Sequence, residues 1–367
     1  MQSGDKAPTR FVVLGGYLGA GKTTLAAALG KELRSRHGRS VAIITNDQGN
    51  VLVDTEYMKD AGFDVKDVLG GCFCANFGEF VKNARTLVSM GRPDVIIAEP
   101  IGTSTAILGS VVAPLRSMYP DEFQVAPFFV VVDGSRASEV LRKPEGFGLG
   151  GGKLIPSHQV REAEYVLISK VDRLNDGEVA SASELVRREV SDADIIPCSA
   201  FSRKNLDTIV DIILSDKVST KEPQEVDQKI FAVEKASMGW FNAHAKLVAE
   251  GRLDINAFVT ALMRRVATDF PPETIGHVKV MLTSPTASAK MSLVEDRMQV
   301  DGLKGGRYFT GEGKLVLNAR VSASPNELKK AFEKAIHETA LEAGAQVQEM
   351  GEACFSPKPE APSLFMK

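Results

Sequence analysis

Four cysteines in 367 residues (Cys72, Cys74, Cys198 and Cys354) are too few for a disulfide scaffold, so a reducing, cytoplasmic setting is expected. No window has the apolar length of a membrane span, and the polar stretch Met1–Arg10 lacks the apolar core of a secretory signal. No charge of one sign dominates: 44 Lys and Arg against 47 Asp and Glu leave a formal net charge of −3. That balance gives no electrostatic case for nucleic acid or an anionic membrane as a partner. Histidine is scarce and scattered, at His37, His158, His244, His277 and His337, and each reads as a surface or core residue before it reads as a ligand. No internal repeat is present. What remains is an ordinary globular composition, 44% hydrophobic and 25% charged, on a chain long enough for two cores.

Against that plain background one segment stands out, Gly16-Tyr17-Leu18-Gly19-Ala20-Gly21-Lys22-Thr23-Thr24. It fits G-x-x-x-x-G-K-[ST], a loop whose glycines let backbone N–H groups surround a polyphosphate. The apolar run Phe11–Leu14 before it reads as a buried strand, and Leu25, Leu29 and Leu33 behind it recur at helical spacing. Strand, glycine loop and helix form the context the motif requires. Gly19, Ala20, Gly21, Lys22, Thr23 and Thr24 are therefore the phosphate-binding candidates, with Lys22 on the β/γ-phosphates and Thr23 on Mg²⁺. The chain is expected to bind a nucleoside di- or triphosphate.

Residues 1–214 alternate short apolar strands with helical stretches. Strands are expected at Phe11–Leu14, Val41–Thr45, Val95–Glu99, Phe128–Asp133, Tyr165–Ser169 and Ile195–Pro197, and helices include Phe77–Ser89 and Val179–Val190. Continuous Val/Ile/Leu runs indicate a mostly parallel sheet covered by helices on both faces, an α/β P-loop fold with ligands at the strands' carboxyl ends. Residues 215–228 read as a polar linker. Residues 229–350 read as a smaller α+β domain, with a strand at Ile230–Glu234, helices at Gly239–Glu250, Ile255–Ala267 and Pro325–Ala343, and strands at His277–Thr283, Ser288–Val294 and Leu315–Val321. Residues 351–367, with three prolines, read as a loose tail. The glycine-rich Gly146–Gly152 reads as a mobile surface loop.

Ser169-Lys170-Val171-Asp172 follows a buried strand and is similar to the [N/T/S]-K-x-D guanine signature, with Ser169 where Asn is usual. A carboxylate at Asp172 can accept from guanine N1–H and its 2-amino group; adenine would leave it unpaired. The stem of Lys170 would cover the base. Ser199 and Ala200 end the next strand and resemble the loop whose backbone N–H meets guanine O6. In order, these favour GTP/GDP over ATP. Glu99 ends its strand and is a candidate for a Mg²⁺-bound water, with the Gly102 backbone meeting the γ-phosphate. Asn46-Asp47-Gln48-Gly49 is a candidate switch. Its Asp47 would bind Mg²⁺ or orient water, or would simply be a turn residue.

The second distinctive stretch is Gly70-Gly71-Cys72-Phe73-Cys74-Ala75-Asn76. On an extended segment Cys72 and Cys74 share a face, and two thiolates there suit Zn²⁺, Co²⁺ or Cu⁺. Taken in order, GGYLGAGKTTL, TNDQG, GGCFC, EPIG, SKVD and the Ser-Ala loop resemble the CobW-like GTPases, relatives of HypB and UreG, over roughly residues 10–213. His158-Gln159 through Glu164 is similar to the family's segment at that place. The resemblance implies GTP-dependent delivery or insertion of a transition metal into a client metalloprotein or cofactor-assembly protein, a nucleotide-controlled switch and often a homodimer. It marks Lys22, Thr23, Glu99, Asp172 and the cysteines as working positions. Cobalt or a corrinoid client is the plausible cargo by that analogy. Ala75 departs from the family's typical C-x-C-C. Two more ligands would then have to come from Asp47, Asn76, water or a partner.

The expected function is thus a GTP-hydrolysing metallochaperone or cofactor-assembly factor, with Lys22, Asp47 and Glu99 as catalytic candidates. The alternative is a nucleotide-gated module that remodels a partner and carries no metal of its own.

Overall fold

The computed structural model describes residues 7–47, 52–69, 71–141, 154–224, 227–357 and 361–366. The chain forms two compact units. The first comprises Met1–Gln48, Met58–Glu234 and Glu360–Lys367, and the second Gly49–Tyr57 and Lys235–Pro359.

In the first unit eight strands form one sheet: β1 (Thr9–Gly16), β2 (Val41–Asp47), β3 (Asp64–Leu69), β4 (Val95–Glu99), β5 (Phe123–Val125), β6 (Phe129–Asp133), β7 (Tyr165–Ser169) and β8 (Asp194–Pro197). The order is β3-β2-β4-β1-β6-β7-β8, with β5 beside β1, and the pairings are parallel. β4, β6 and β7 are buried along their whole length, as unbroken Val/Ile runs covered on both faces require. The parallel register aligns Thr45 with Glu99 and Asp133 with Ser169, so the polar residues that end these strands gather along one edge of the sheet.

Helix α1 (Lys22–His37) follows β1, and α2 (Val53–Asp60) begins in the second unit and ends in the first. α3 (Phe77–Gly91) leads to β4. A π-helical turn at Leu108–Val112 runs into α4 (Ala113–Met118), and α5 (Ala137–Leu141) and α6 (Leu154–Glu162) precede β7. α7 (Asp176–Glu189) starts with a capping box between Asn175 and Glu178, and α8 (Leu206–Leu214) closes the series. Phe80 anchors the core, its ring centroid 5.6 Å from that of Phe11, 4.4 Å from Phe73 and 6.1 Å from Phe77. Full burial of each such ring contributes about 1.5–3 kcal/mol. Within the expected linker, residues 219–221 are tied to the first unit. Glu164 accepts the backbone N–H groups of Thr220 and Lys221, and Ser219 N–H bonds the Val125 carbonyl.

Ile230–Glu234 is helical, in contrast to the expected strand: a 3₁₀ turn at Gln228–Phe231 continues into α9 (Ala232–Ala236). Asp227 caps the turn through the Lys229 N–H, and helical spacing buries Phe231 and Glu234 while Ile230 and Val233 stay exposed.

The second unit is an antiparallel sheet in the order β12-β11-β10-β13-β9-β14. Its strands are β9 (Gly239–Asp254), β10 (Ile275–Thr283), β11 (Ala287–Val294), β12 (Arg297–Gly305), β13 (Tyr308–Val321) and β14 (Ala345–Phe355). Helices α10 (Ile255–Asp269) and α11 (Pro325–Glu342) pack Leu262 and Phe332 among Phe241, Leu317 and Val280. β9 corrects the helix expected at Gly239–Glu250. Ala243, Ala245, Leu247 and Ala249 mimic a helical composition, yet they alternate with Asn242, His244 and Lys246 at the period of a strand. On the sheet's other face Val53, at the start of α2, packs with Met281 and Val316, and Asp54 pairs with Lys279 at 2.5 Å and Lys290 at 3.4 Å. Burial would raise the Asp54 carboxyl, but Lys279 and then Lys290 override it and hold it well below the usual range.

The expected loose tail is likewise corrected. Its first part is β14, paired to β9, and residues 361–366 lie on the first unit, where Ser363 N–H donates to the Cys74 carbonyl at 2.8 Å and Met366 N–H to Gly109 at 2.9 Å. The Gly146–Gly152 stretch falls outside the described residues.

Candidate nucleotide site

The phosphate loop turns on Gly21, whose φ of 90° is left-handed and places Lys22 directly at the start of α1. Ala20 N–H closes the loop onto the Tyr17 carbonyl at 3.2 Å. Lys22 is buried, its Nζ 3.3 Å from the same carbonyl, and Thr24 follows half-buried on the helix. Buried Thr23 donates its hydroxyl to Glu99 Oε1 at 2.8 Å, joining the helix start to the end of β4. A hydroxyl and a carboxylate so placed are hard oxygen donors and fit Mg²⁺. A Cβ on Gly102 would stand 2.7 Å from Leu18 Cδ2 and 3.0 Å from Leu18 N, so glycine lets the Glu99–Gly102 turn lie against the phosphate loop. Asp47 ends β2, but its side chain lies outside the described residues, as do Gln48 and Gly49.

Across the loop, buried Ser169 holds its hydroxyl 2.7 Å from the Ala20 carbonyl oxygen. Lys170 Nζ donates to the Gly19 carbonyl and to Asp133 Oδ2, both at 2.7 Å, and its stem passes 3.7 Å from where a Gly21 Cβ would be. Asp172 is exposed and accepts the Ser199 hydroxyl at 2.5 Å. Ser199 Oγ in turn accepts the N–H groups of Phe201 and Ser202, which shape the turn containing Ala200. Cys198, directly after β8, is fully buried, and burial pushes its thiol up to about 12, so it stays protonated. Asp133 carried no assignment from sequence, although an Asp ending the buried run Phe-Val-Val-Val has the same signature as Glu99.

The cysteine segment differs from expectation. Cys72 and Cys74 do not share the face of an extended strand; they sit in a turn after β3, where Ala75 and Asn76 N–H groups bond the Cys72 carbonyl at 3.0 Å. Their sulfurs are joined as a disulfide, and both residues are buried. Asn46, from the candidate switch, pins this turn. Its Nδ2 donates to Gly71 O at 2.7 Å and Val68 O at 2.9 Å, and its Oδ1 accepts Phe73 N–H at 2.9 Å. No group of three or more His, Cys, Asp or Glu is placed for a metal among the described residues.

α6 supports the segment after Glu99. Gln159 Nε2 donates to Gly102 O at 3.0 Å and Ser104 O at 2.8 Å, and Ala106 N–H points at His158 Nε2 at 3.4 Å. Glu162 accepts the N–H groups of Ile107 and Leu108, each at 3.2 Å. Burial raises the Glu162 carboxyl to about 8 from its ordinary 4.5, against the smaller pull of those amides and Lys221. Between these values the folded chain holds the proton that the unfolded chain has released, so stability falls as pH rises through that window. Glu162→Gln cannot ionise and should flatten the slope of Tm against pH there; an unchanged slope would show that Glu162 does not titrate this way.

A family model described as the CobW/HypB/UreG nucleotide-binding domain matches residues 10–197. The Escherichia coli (strain K12) zinc chaperone YjiA is 35% identical over 77 residues, 21% of this chain and 23% of that protein. The zinc chaperone YeiR of the same organism is 31% identical over 116 residues, 31% of this chain and 35% of that one. The alignments thus span about a quarter and a third of these relatives. Among solved structures, Zn(II)-bound YjiA GTPase from E. coli superposes with a TM-score of 0.38 at 17% identity, covering 90% of this chain and 99% of that one. HypB from Helicobacter pylori in complex with nickel gives a TM-score of 0.43 at 16% identity over 58% and 91%.

Proposed function

The chain belongs to the CobW/HypB/UreG family, and on that premise we propose that it is a GTP-hydrolysing metal chaperone in which nucleotide state controls the handling of a transition metal. Lys22 neutralises charge developing on the phosphates, Thr23 and Glu99, with Asp47, would hold Mg²⁺, which would supply further charge neutralisation there, and Glu99 or Asp47 positions the attacking water. Lys170, Asp172, Ser199 and Ala200 select guanine, and Ser169 ties their strand to the phosphate loop. The observation that carries the switching is the Asn46 side chain. One residue from Asp47 at the end of β2, it makes three hydrogen bonds to the segment Val68–Phe73 that leads into the cysteine turn. Loss of the γ-phosphate would loosen the switch and, through Asn46, the cysteines.

The cargo is a borderline ion, and the zinc chaperones among the relatives favour zinc over cobalt. Reduction of the disulfide by an external dithiol, itself oxidised to a disulfide in the exchange, would supply two thiolates, and the client protein the remaining ligands. The competing reading, a partner-remodelling module without metal, draws on the disulfide and the Ser363 contact that ties up the Cys74 carbonyl.

Zinc titration of the reduced protein, with and without a non-hydrolysable GTP analogue, tests the proposal. Cys72→Ala/Cys74→Ala should lose the site in both states. Asn46→Ala should keep zinc binding but abolish its dependence on nucleotide. Equal zinc affinity of the double cysteine variant and the native chain in both states would leave the metal-free reading.

A further inference from the structure

Gln159, buried on α6, has no assigned role in the chemistry, yet its amide reaches the turn that follows Glu99. Nε2 donates to the carbonyls of Gly102 at 3.0 Å and Ser104 at 2.8 Å, which uses both of its hydrogens. Only this flip of the amide fits, because the other would set Oε1 against two carbonyl oxygens. In the flip that fits, Oε1 is buried and has no partner among the described residues. A buried unpaired acceptor is costly, and a methionine of similar length would avoid it. The side chain is therefore better explained by its two donors than by packing. The helix that carries it is fixed, with Ile155 fully buried and Val160 packed in the core.

The turn itself decides where an amide points. Ser104 N–H bonds the Ile101 carbonyl at 2.9 Å. A trans peptide sets its C=O and N–H in opposite directions, so that bond turns Gly102 N–H away from the interior of the turn. Gln159 then holds the next peptide through Gly102 O and the one leaving the turn through Ser104 O. Gly102 lies against Leu18 of the phosphate loop, and Gln159 lines one small cavity with Tyr17, Leu18 and Ala20. The bonds from His158 and Glu162 to Ala106, Ile107 and Leu108 fall later in the segment. We propose that Gln159 is a positioning residue of the nucleotide site. It holds the Ile101–Ser104 turn so that Gly102 N–H meets the γ-phosphate, and so lets the site distinguish a triphosphate from a diphosphate. This deepens the GTPase reading above and rests on it.

The test compares the native chain with Gln159→Met, which keeps the length and loses both donors, and Gln159→Asn, whose amide stops one methylene short. Affinities for GDP and for a non-hydrolysable GTP analogue are read by competition against a fluorescent GDP, alongside single-turnover GTP hydrolysis and Tm. For Gln159→Met the analogue should bind roughly fivefold to tenfold more weakly, and hydrolysis should slow about tenfold, the scale of one or two neutral hydrogen bonds. GDP affinity should stay within about twofold, because the loop from Gly19 to Thr24 holds the α- and β-phosphates. Gln159→Asn should show the same split, and it carries the comparison alone if Gln159→Met does not fold. Equal losses of GDP and analogue affinity would overturn the positioning role. So would a lower Tm with hydrolysis and the preference for the analogue over GDP intact. Either result, on a native chain that hydrolyses GTP, removes this proposal and leaves the GTPase reading standing. A native chain that neither binds nor hydrolyses GTP sinks that reading, and this proposal with it.

Discussion

Replacing Lys22 by alanine is expected to lower GTP hydrolysis by about a hundredfold or more, the scale of removing one preorganised donor to a developing anion. On the proposed reading the Lys22 ammonium is the side-chain charge set against the phosphates. Its Nζ already rests on the Tyr17 carbonyl inside a buried loop, so little reorganises as charge builds. Glu99→Gln should differ in kind. The amide can still accept from the Thr23 hydroxyl, but it holds Mg²⁺ and its water more weakly. Its deficit should shrink as Mg²⁺ is raised, whereas the Lys22→Ala deficit should not. Phosphate release at saturating GTP, titrated with Mg²⁺, separates the two. A Lys22→Ala rate equal to that of the native chain would place hydrolysis outside this loop.

How far such a site can be read from sequence depends on whether its parts are local. The phosphate loop was legible because strand, glycines, Lys22 and the helix behind it are contiguous, and a strand-loop-helix needs no partner to be recognised. The places of Glu99 and Ser169 were legible because each ends an apolar run typical of a doubly covered parallel strand, and Asp172 follows Ser169 in the next turn. Asp133 carried the same signature and went unassigned, since its meaning is the ion pair with Lys170 from the neighbouring strand. Asn46 lies further out of reach: its partners Val68, Gly71 and Phe73 come more than 20 residues later, and nothing in an Asn announces carbonyls and an amide on another segment. The errors have the same root. Ala-rich β9 has a helix's composition with a strand's period, and Cys72–Cys74 reads as extended until the Cys72 carbonyl gathers two amides into a turn. Local composition proposes; long-range hydrogen bonds decide.

Base choice is the sharper of the two large effects, because it changes identity as well as rate. Asp172→Asn is expected to weaken GTP binding by about a hundredfold or more while raising affinity for xanthosine triphosphate. A carboxylate offers two acceptors, which match the N1–H and 2-amino donors of guanine. An asparagine offers one acceptor and one donor, matching xanthine N1–H and its 2-oxo group. The structure favours a clean exchange. Asp172 is exposed, so the change creates no buried orphan, and its Oδ1 is aimed by the Ser199 hydroxyl. That hydroxyl is itself fixed by the amides of Phe201 and Ser202. Ser199→Ala should therefore cost GTP affinity only several-fold, about one neutral hydrogen bond, without inviting xanthine. Competition of GDP, XDP and ADP against a fluorescent GDP on the three proteins reads all of this at once. Unchanged GDP preference in Asp172→Asn would mean that the carboxylate does not read the base. The Ser169–Asp172 segment would then owe its place to Lys170, whose bonds to Gly19 and Asp133 brace the phosphate loop whichever base is bound.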